Sequence, residues 1–396
     1  MSKVIAVNAG SSSLKFQLFE MDNEEVITSG VIERIGLEDS IFTIKFQGKK
    51  EQKVFPIPTH KEAVQLLLDT LLEKGIVSSL EEIKGVGHRV VQGGSYFKES
   101  CIVDEDVKAK IDELAPLAPL HNKAHLIGIE AFEEAIPNAG AVTVFDTAFH
   151  QTLKPRCYIY PIPYKYYTEN KVRKYGAHGT SHFFVSSKVN EYLGNPEHSR
   201  IIVCHLGAGG SLCAVKDGVS TNTSMGFTPL AGIMMGTRSG DLDPSVIDYL
   251  IENVGLDMKD VIYMLNKESG LLGVSGVSGD FRDVLAAANE GNERAKLAIE
   301  IFFRRVGDYI GRYFVSMGGV DAIAFTAGIG ENSAFARKGI MDLVSEALGI
   351  VIDDDANENG NGERLISTPE SKVKVYVIPT NEELVIARDT KRLLKL

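Results

Sequence analysis

No apolar run in this 396-residue chain reaches the roughly 18 residues that a membrane span requires. The opening MSKVIAVNAG meets polar residues before a signal-type apolar segment can form, so a cytoplasmic protein with no membrane partner is expected. Positive charge is also in short supply: 42 Lys and Arg stand against 53 Asp and Glu, a formal net charge of −11. The basic residues are scattered rather than gathered in a stripe, which excludes a broad nucleic-acid surface and leaves room only for a local pocket that holds an anion. Cysteine is sparse. Cys101, Cys157, Cys204 and Cys213 show no C-x-x-C spacing, so neither a zinc site nor a disulfide framework is indicated. Cys204 and Cys213 fall in apolar strand patterns and read as buried thiols. The histidines form no H-E-x-x-H motif; His121 and His125 have helical i, i+4 spacing but no acidic partner between them.

What is present reads as a globular α/β protein, 44% hydrophobic and 24% charged. The length exceeds what one core sustains, so two domains are expected. Short β-rich runs at 4–8, 14–20, 141–145, 201–206, 211–215, 322–326 and 373–378 alternate with amphipathic segments such as KEAVQLLLDTLLEK at 61–74. The least periodic stretch, 150–175, is broken by Pro155, Pro161 and Pro163, and the boundary is placed near its start. DDDANENGNGE at 353–363 reads as an exposed loop.

Two segments carry a common design. VIAVNAGSSSLKFQLFE is an apolar strand, a turn of small polar residues and a second strand; RIIVCHLGAGGSLCAVKDG at 200–218 repeats it, as a duplicated domain would. Such a turn is either a simple hairpin connection or a donor-rich cradle for phosphate, built from backbone N–H groups with Ser11, Ser12, Ser13 and Lys15. Further glycine clusters, HLGAGGS, GVSGVSGD and FTAGIGEN, sit where strands should end, and none matches a P-loop or a dinucleotide fingerprint. Arg89 in GHRVVQGG and Arg238 in MGTRSGDLDP are either structural ion-pair partners or bidentate grips on a carboxylate or phosphoryl group.

Taken in order, VNAGSSSLKF, GHRVVQGG, APLHN, FDTAFH, YGAHGTSH, HLGAGGS, MGTRSGDLDP, GVSGDFRD, AGIGEN and TNEELVIARDT resemble the acetate kinases essentially from end to end. The resemblance implies two duplicated ribonuclease-H-like domains of the actin, sugar kinase and heat-shock ATPase fold, with a central interdomain cleft. An acyl-kinase domain at 1–150, with helix 383–396 packing back on it, and a nucleotide-binding domain at 151–382 are expected. It implies a homodimer acting on acetate or propionate with ATP and ADP, and magnesium, or manganese as a substitute, held by Asn8 and Glu382. Asp146, His178 and Arg238 match catalytic positions, Arg89 and His121 the acceptor site. Lys15, Ser11 and Ser13, the run His205, Leu206, Gly207, Ala208 and Gly209, then Asp280, Phe281 and Arg282, and Gly328, Ile329, Gly330, Glu331 and Asn332 match phosphate and nucleotide contacts.

Three positions depart from the family pattern, which has His at Gln92, Asn at Ala208 and Gly at Ala327. Gln92 still hydrogen-bonds but carries no charge. Asn381 followed by Glu382 and Glu383 also fits a helix N-cap with acids complementing the dipole, so Glu382 has a structural reading beside the metal one. The expected reaction is in-line transfer from ATP to an acceptor that is already an anion, needing charge stabilisation rather than a general base. Pyrophosphate as donor is disfavoured by the small residues of AGIGEN. The alternatives are a propionate kinase of the same group and an inactive nucleotide-binding interaction protein.

Overall fold

A computed structural model describes residues 2–118 and 121–396. The chain divides into two compact units, one formed by residues up to Phe149 with Asn381–Leu396, the other by His150–Thr380.

In the first unit β1 (Lys3–Gly10) and β2 (Ser13–Glu20) form an antiparallel hairpin, followed by β3 (Glu25–Glu33), β4 (Ile41–Phe46), β5 (Lys49–Val54), β6 (Ile83–Val90), β7 (Cys101–Ile102) and β8 (Gly140–Phe145). The sheet order is β5-β4-β3-β2-β1-β6-β8-β7, with β6 parallel to β1 and β8 parallel to β6. Val4, Ile5, Ala6 and Val7 are all buried, as expected of a central strand covered on both faces. Ile5 and Val7 join Leu67, Leu68 and Leu71 of helix His60–Glu73 and Phe132 of helix Asn122–Ala135. Val4 and Ala6 join Ile386 and Ala387 of the terminal helix Glu382–Leu394. That close approach depends on Gly87, where any side chain would collide with Ile386 and Thr390.

The second unit contains β9 (Arg200–Leu206), β10 (Gly210–Lys216), β11 (Val219–Thr223), β12 (Ala322–Thr326), β13 (Arg364–Leu365) and β14 (Lys374–Val377), in the order β11-β10-β9-β12-β14-β13. Its core gathers on the 25-residue helix Glu293–Met317, whose Phe302, Val306, Ile310 and Tyr313 are buried with Ile202, Cys204 and Phe325. The sequence echo is a repeated topology. Both sheets hold an antiparallel three-strand meander, β1-β2-β3 or β9-β10-β11, extended beyond its first strand by two parallel strands, β6 and β8 or β12 and β14.

Each strand expected from the sequence is present, with boundaries within two residues, and helix 61–74 appears as His60–Glu73. Cys204 and Cys213 are fully buried, and burial raises both thiol pKa values, that of Cys213 to about 12. Residues 353–363 are not simply an exposed loop. Asp353 caps a helix over Asp354–Asn359 through the Ala356 amide, its acids sit at the favourable N-terminal end of the dipole, and Asn357 is buried.

Candidate active site

In the first unit, two adjacent parallel strands end together and bring two charged residues side by side. Arg89 lies near the end of β6, and Asp146 follows β8 with its amide bonded to the Val90 carbonyl at 2.9 Å. The guanidinium donates from Nε to Oδ1 at 3.0 Å and from Nη2 to Oδ2 at 2.6 Å. Asp146 is 1% exposed and Arg89 21%. Burial works against the Arg89 charge, but Asp146 and then Glu382 outweigh it, so its pKa is raised.

Glu382 begins the terminal helix, whose N-cap is Asn381, accepting from the Leu384 amide at 3.0 Å. The N-cap read from the sequence is therefore present. Burial, reinforced by Asp146 and Glu383 and opposed by Arg89 and Lys15, pushes the Glu382 carboxyl up to about 7. Its Oε1 is buried and meets no hydrogen-bond partner among the described residues. Asn8 and Lys15 face each other across the β1–β2 hairpin, so their side chains share one face of the sheet. His60 Nε2 donates to the Gly10 carbonyl at 2.7 Å and fixes the base of the tip, where Ser11 and Ser12 are exposed and Ser13 half-buried. His121 lies just before helix Asn122–Ala135, its ring centroid 6.4 Å from that of His125. Burial, then the neighbouring Arg89, lowers the His125 pKa to about 3. Gln92 is buried, its Oε1 accepting from the Gly94 amide at 2.9 Å, and Asn122 bonds both its N–H and its carbonyl. At this position the side chain braces the loop after β6.

The second unit gathers several loops beyond the ends of its central strands. Gly207, Ala208 and Gly209 form the tip between β9 and β10, closed by the Gly207 amide on the Gly209 carbonyl at 3.1 Å. Gly236 donates to the Ala208 carbonyl at 3.0 Å, and a Cβ there would stand 2.7 Å from the Gly279 carbonyl oxygen, so 207–209, 236–238 and 279–280 are pressed together. A Cβ at Gly209 would lie 3.4 Å from Arg238 Nη1 and 3.9 Å from His178 Nε2. Arg238 and His178 thus converge on the turn, and glycine there leaves space before both. Arg238 Nη1 donates to the Pro229 carbonyl at 3.3 Å, burial lowers its pKa, and no carboxylate pairs with it among the described residues. The two arginines therefore differ: Arg89 has an anionic partner in its own unit and Arg238 does not.

His178 has left-handed backbone, φ 57°, before helix Gly179–Tyr192, and its ring stacks on His205 at 4.1 Å. Asp280 caps helix Phe281–Asn289 and pairs with the exposed Arg282 at 2.6 and 3.0 Å; that bond holds its pKa at about 2. Phe281 packs in the core near Phe302 and Phe303, so only its backbone is available to a ligand. AGIGEN, expected as a glycine turn, is a short helix, Ala327–Asn332. Glu331 Oε1 accepts from the Ala327 and Thr380 amides at 2.7 and 3.2 Å, and Asn332 Nδ2 donates to the Gly328 carbonyl at 2.8 Å.

Sequence reasoning did not single out Arg337, which is 2% exposed and donates to the carbonyls of Gly330 and Glu331 at 2.9 Å and to Asn357 Oδ1 and O at 2.7 and 2.6 Å. Its helical sequence context reads as surface. Ser211 and His182 lie inside HLGAGGS and YGAHGTSH, so the signal that could have found them was their place in those motifs.

The sequence profile of the acetokinase family matches residues 3–388. An acetate kinase of Geobacillus kaustophilus is 55% identical, covering 100% of both chains. Among solved structures, acetate kinase of Porphyromonas gingivalis superposes with a TM-score of 0.95 at 45% identity, covering 100% of both chains. A propionate kinase of Francisella tularensis superposes with a TM-score of 0.94 at 42% identity, over 99% of this chain and 100% of that one.

Proposed function

The chain belongs to the acetokinase family, and we propose that it transfers the γ-phosphoryl group of ATP to acetate, reversibly, giving acetyl phosphate and ADP. The observation that carries this reading is Arg238, a half-buried guanidinium without a carboxylate partner in the described structure, directed with His178 at a turn of small residues. A cation so placed suits an anion whose charge grows during reaction.

In this proposal the first unit is the acyl-kinase unit, with Arg89 and His121 at the acceptor, and the second binds nucleotide. Acetate, with a pKa near the ~4.3 of a glutamate carboxyl, arrives ionised, so no base must remove a proton. Both oxygens of Asp146 are taken up by Arg89, which makes Asp146 a positioning group that orients the guanidinium. Lys15, Ser11 and Ser13 contact phosphate from the first hairpin; His205, Leu206, Gly207, Ala208 and Gly209 do so from the second. Asp280, Phe281, Arg282 and the run Gly328, Ile329, Gly330, Glu331 and Asn332 bound the nucleotide. Arg238 and His178 donate to the transferred phosphoryl oxygens, whose charge is highest in flight.

The residues present suit a magnesium ion, with manganese as a substitute. Glu382 offers a buried, unpartnered Oε1 on a carboxyl that burial holds partly protonated, and a cation would relieve both conditions. No cluster of three His, Cys, Asp or Glu able to form a cage occurs among the described residues, which fits an ion held by one or two protein oxygens and phosphate. Asn8 and Glu382 would hold it, and when bound it would neutralise phosphate charge.

Propionate is the second reading, favoured by the near-equal superposition of the Francisella propionate kinase. One methylene is worth only about 1–3 kcal/mol of discrimination. An inactive interaction protein is opposed by the joint presence of Lys15, Arg89, Asp146, His178 and Arg238. The family resemblance also supports a cytoplasmic homodimer, which light scattering coupled to size exclusion tests. The deciding experiment is hydroxamate formation with magnesium, hydroxylamine and ATP across acetate, propionate and butyrate, repeated with pyrophosphate. Highest kcat/KM with acetate supports the proposal, a propionate maximum supports the second reading, and no product from folded protein defeats both.

A further inference from the structure

We propose that Ser211 and His182 are positioning residues that hold His178 as the neutral tautomer with its proton on Nε2. The claim follows from counting hydrogens in a buried chain of three groups. Ser211 Oγ lies 2.8 Å from His178 Nδ1 and 2.8 Å from His182 Nε2, and Ser211 and His182 are both fully buried. A hydroxyl has one hydrogen to give and two lone pairs to receive; if Ser211 accepted from both rings its own hydrogen would be buried with no acceptor among the described residues, so it serves as donor to one ring and acceptor from the other.

His182 decides the direction. Its Nδ1 is buried and meets no hydrogen-bond partner among the described residues. A proton there would be an orphaned buried donor while Nε2 took the hydroxyl hydrogen; a proton on Nε2 leaves only an unpartnered lone pair, the less costly arrangement. His182 therefore donates from Nε2 to Ser211. The serine hydrogen then goes to His178 Nδ1, and the His178 proton stays on Nε2, the atom that faces Gly209 beside Arg238.

The neighbours repeat the device. His150 Nε2 lies 2.9 Å from the Ala177 carbonyl, which only accepts, so its Nδ1, 2.9 Å from Ser220 Oγ, receives the serine hydrogen. Thr380 donates to Ser181 Oγ at 2.8 Å, and Ser181 in turn donates to His205 Nδ1 at 2.8 Å. Three histidines are thus each held through Nδ1 by a serine, and His150 also ties down the carbonyl that precedes the left-handed His178.

Cationic His178 would need a proton on Nδ1, against the Ser211 hydrogen. Within this unit His205 stacks on it at 4.1 Å, His182 lies at 6.3 Å, and Arg238 stands beside the same turn. With Nδ1 accepting from Ser211, the N–H that His178 offers an anion is the one on Nε2.

The consequence for rate rests on the role proposed above for His178, whereas the tautomer does not. The test is carbon-13 and nitrogen-15 spectroscopy of histidine-labelled full-length protein from pH 6 to 9, with His178 assigned by difference from His178→Gln, alongside kcat and KM. The wild type should show the Nε2–H form throughout. Ser211→Ala should show mixed tautomers, with an Nδ1–H population that the wild type lacks. Its kcat should fall about 10- to 100-fold with KM changed less than about twofold. Ser211→Thr and His182→Gln, which keep the hydroxyl and an N–H donor, should behave as wild type. Should Ser211→Ala fail to fold, His182→Leu makes the same test, because Ser211 is then free to accept from His178. An Nδ1–H or cationic His178 in the wild type at neutral pH overturns the proposal. A tautomer change with unaltered kcat upholds the relay and instead defeats the phosphoryl role of His178.

Discussion

Arg89 and Asp146 form a two-point ion pair in which both carboxylate oxygens are engaged, at 3.0 and 2.6 Å, with the acid 99% shielded from solvent. Neither oxygen is left as an obvious proton acceptor. Asp146→Asn is therefore expected to lower kcat by a similar factor at every pH from 6 to 9, and to destabilise the fold by up to about 3–5 kcal/mol, because the guanidinium loses its counter-charge. A kcat loss confined to one side of a titration near neutrality would instead assign proton transfer to Asp146.

The two arginines should separate kinetically. Arg89→Ala is expected to raise KM for acetate, since the acceptor is bound before reaction, whereas Arg238→Ala should lower kcat with little change in KM, as for a group acting mainly on the transition state. Initial-rate kinetics with ATP saturating distinguish them, and an unchanged acetate KM in Arg89→Ala removes that residue from the acceptor site.

Glu382 gives a pH dependence of definite sign. Its folded pKa, about 7, lies above the ~4.3 of an unfolded glutamate, so between these values the folded chain binds the extra proton. The contribution to stability is present below about pH 4 and is lost as pH rises through 7. Glu382→Gln should remove this loss and raise stability at pH 8 by about 1–3 kcal/mol, read by urea unfolding without magnesium. The same carboxyl should release a proton on binding magnesium with ATP at pH 6.5, measurable as a buffer-dependent calorimetric enthalpy.

Ala327 adopts φ 63°, a left-handed conformation that an alanine holds at a cost of about 1–2 kcal/mol. Ala327→Gly should relieve it and, after the added flexibility of the unfolded chain, stabilise by about 0.5–1 kcal/mol in chemical denaturation. A loss of stability would mean that the methyl group, 3.6 Å from where a Cβ on Gly207 would stand, contributes packing that outweighs the strain.

Arg337 holds the last turn of helix Ala327–Asn332 through two carbonyls, and burial lowers its pKa to about 10. Arg337→Met should destabilise by about 3 kcal/mol, as charged hydrogen bonds are lost and carbonyls are left unpaired. It should raise KM for ATP more than KM for acetate, because the displaced helix belongs to the proposed nucleotide site.

Legibility in the sequence followed range. Strands such as 201–206 and 322–326 were visible because strands covered on both faces read as continuous apolar runs, and the paired hairpins were visible because small turn residues interrupt them. β5, KKEQKV, was not, since an exposed edge strand carries no apolar pattern. The helix at 354–359 was hidden by its polar composition, because its stability comes from a cap at Asp353 and from Asn357 receiving a buried arginine from elsewhere in the chain.

By itself the sequence determined the α/β class, the duplicated hairpins and which residue types could meet an anion, because periodicity and turn chemistry act over a few neighbouring positions. Only the tertiary structure decided what those residues do to one another: that Arg89 pairs with a carboxylate while Arg238, among the described residues, does not, that burial lifts Glu382, and that one serine lies between two histidines. Each is a distance or a desolvation between positions far apart in the chain, set by strand order and packing, and local pattern carries no record of either.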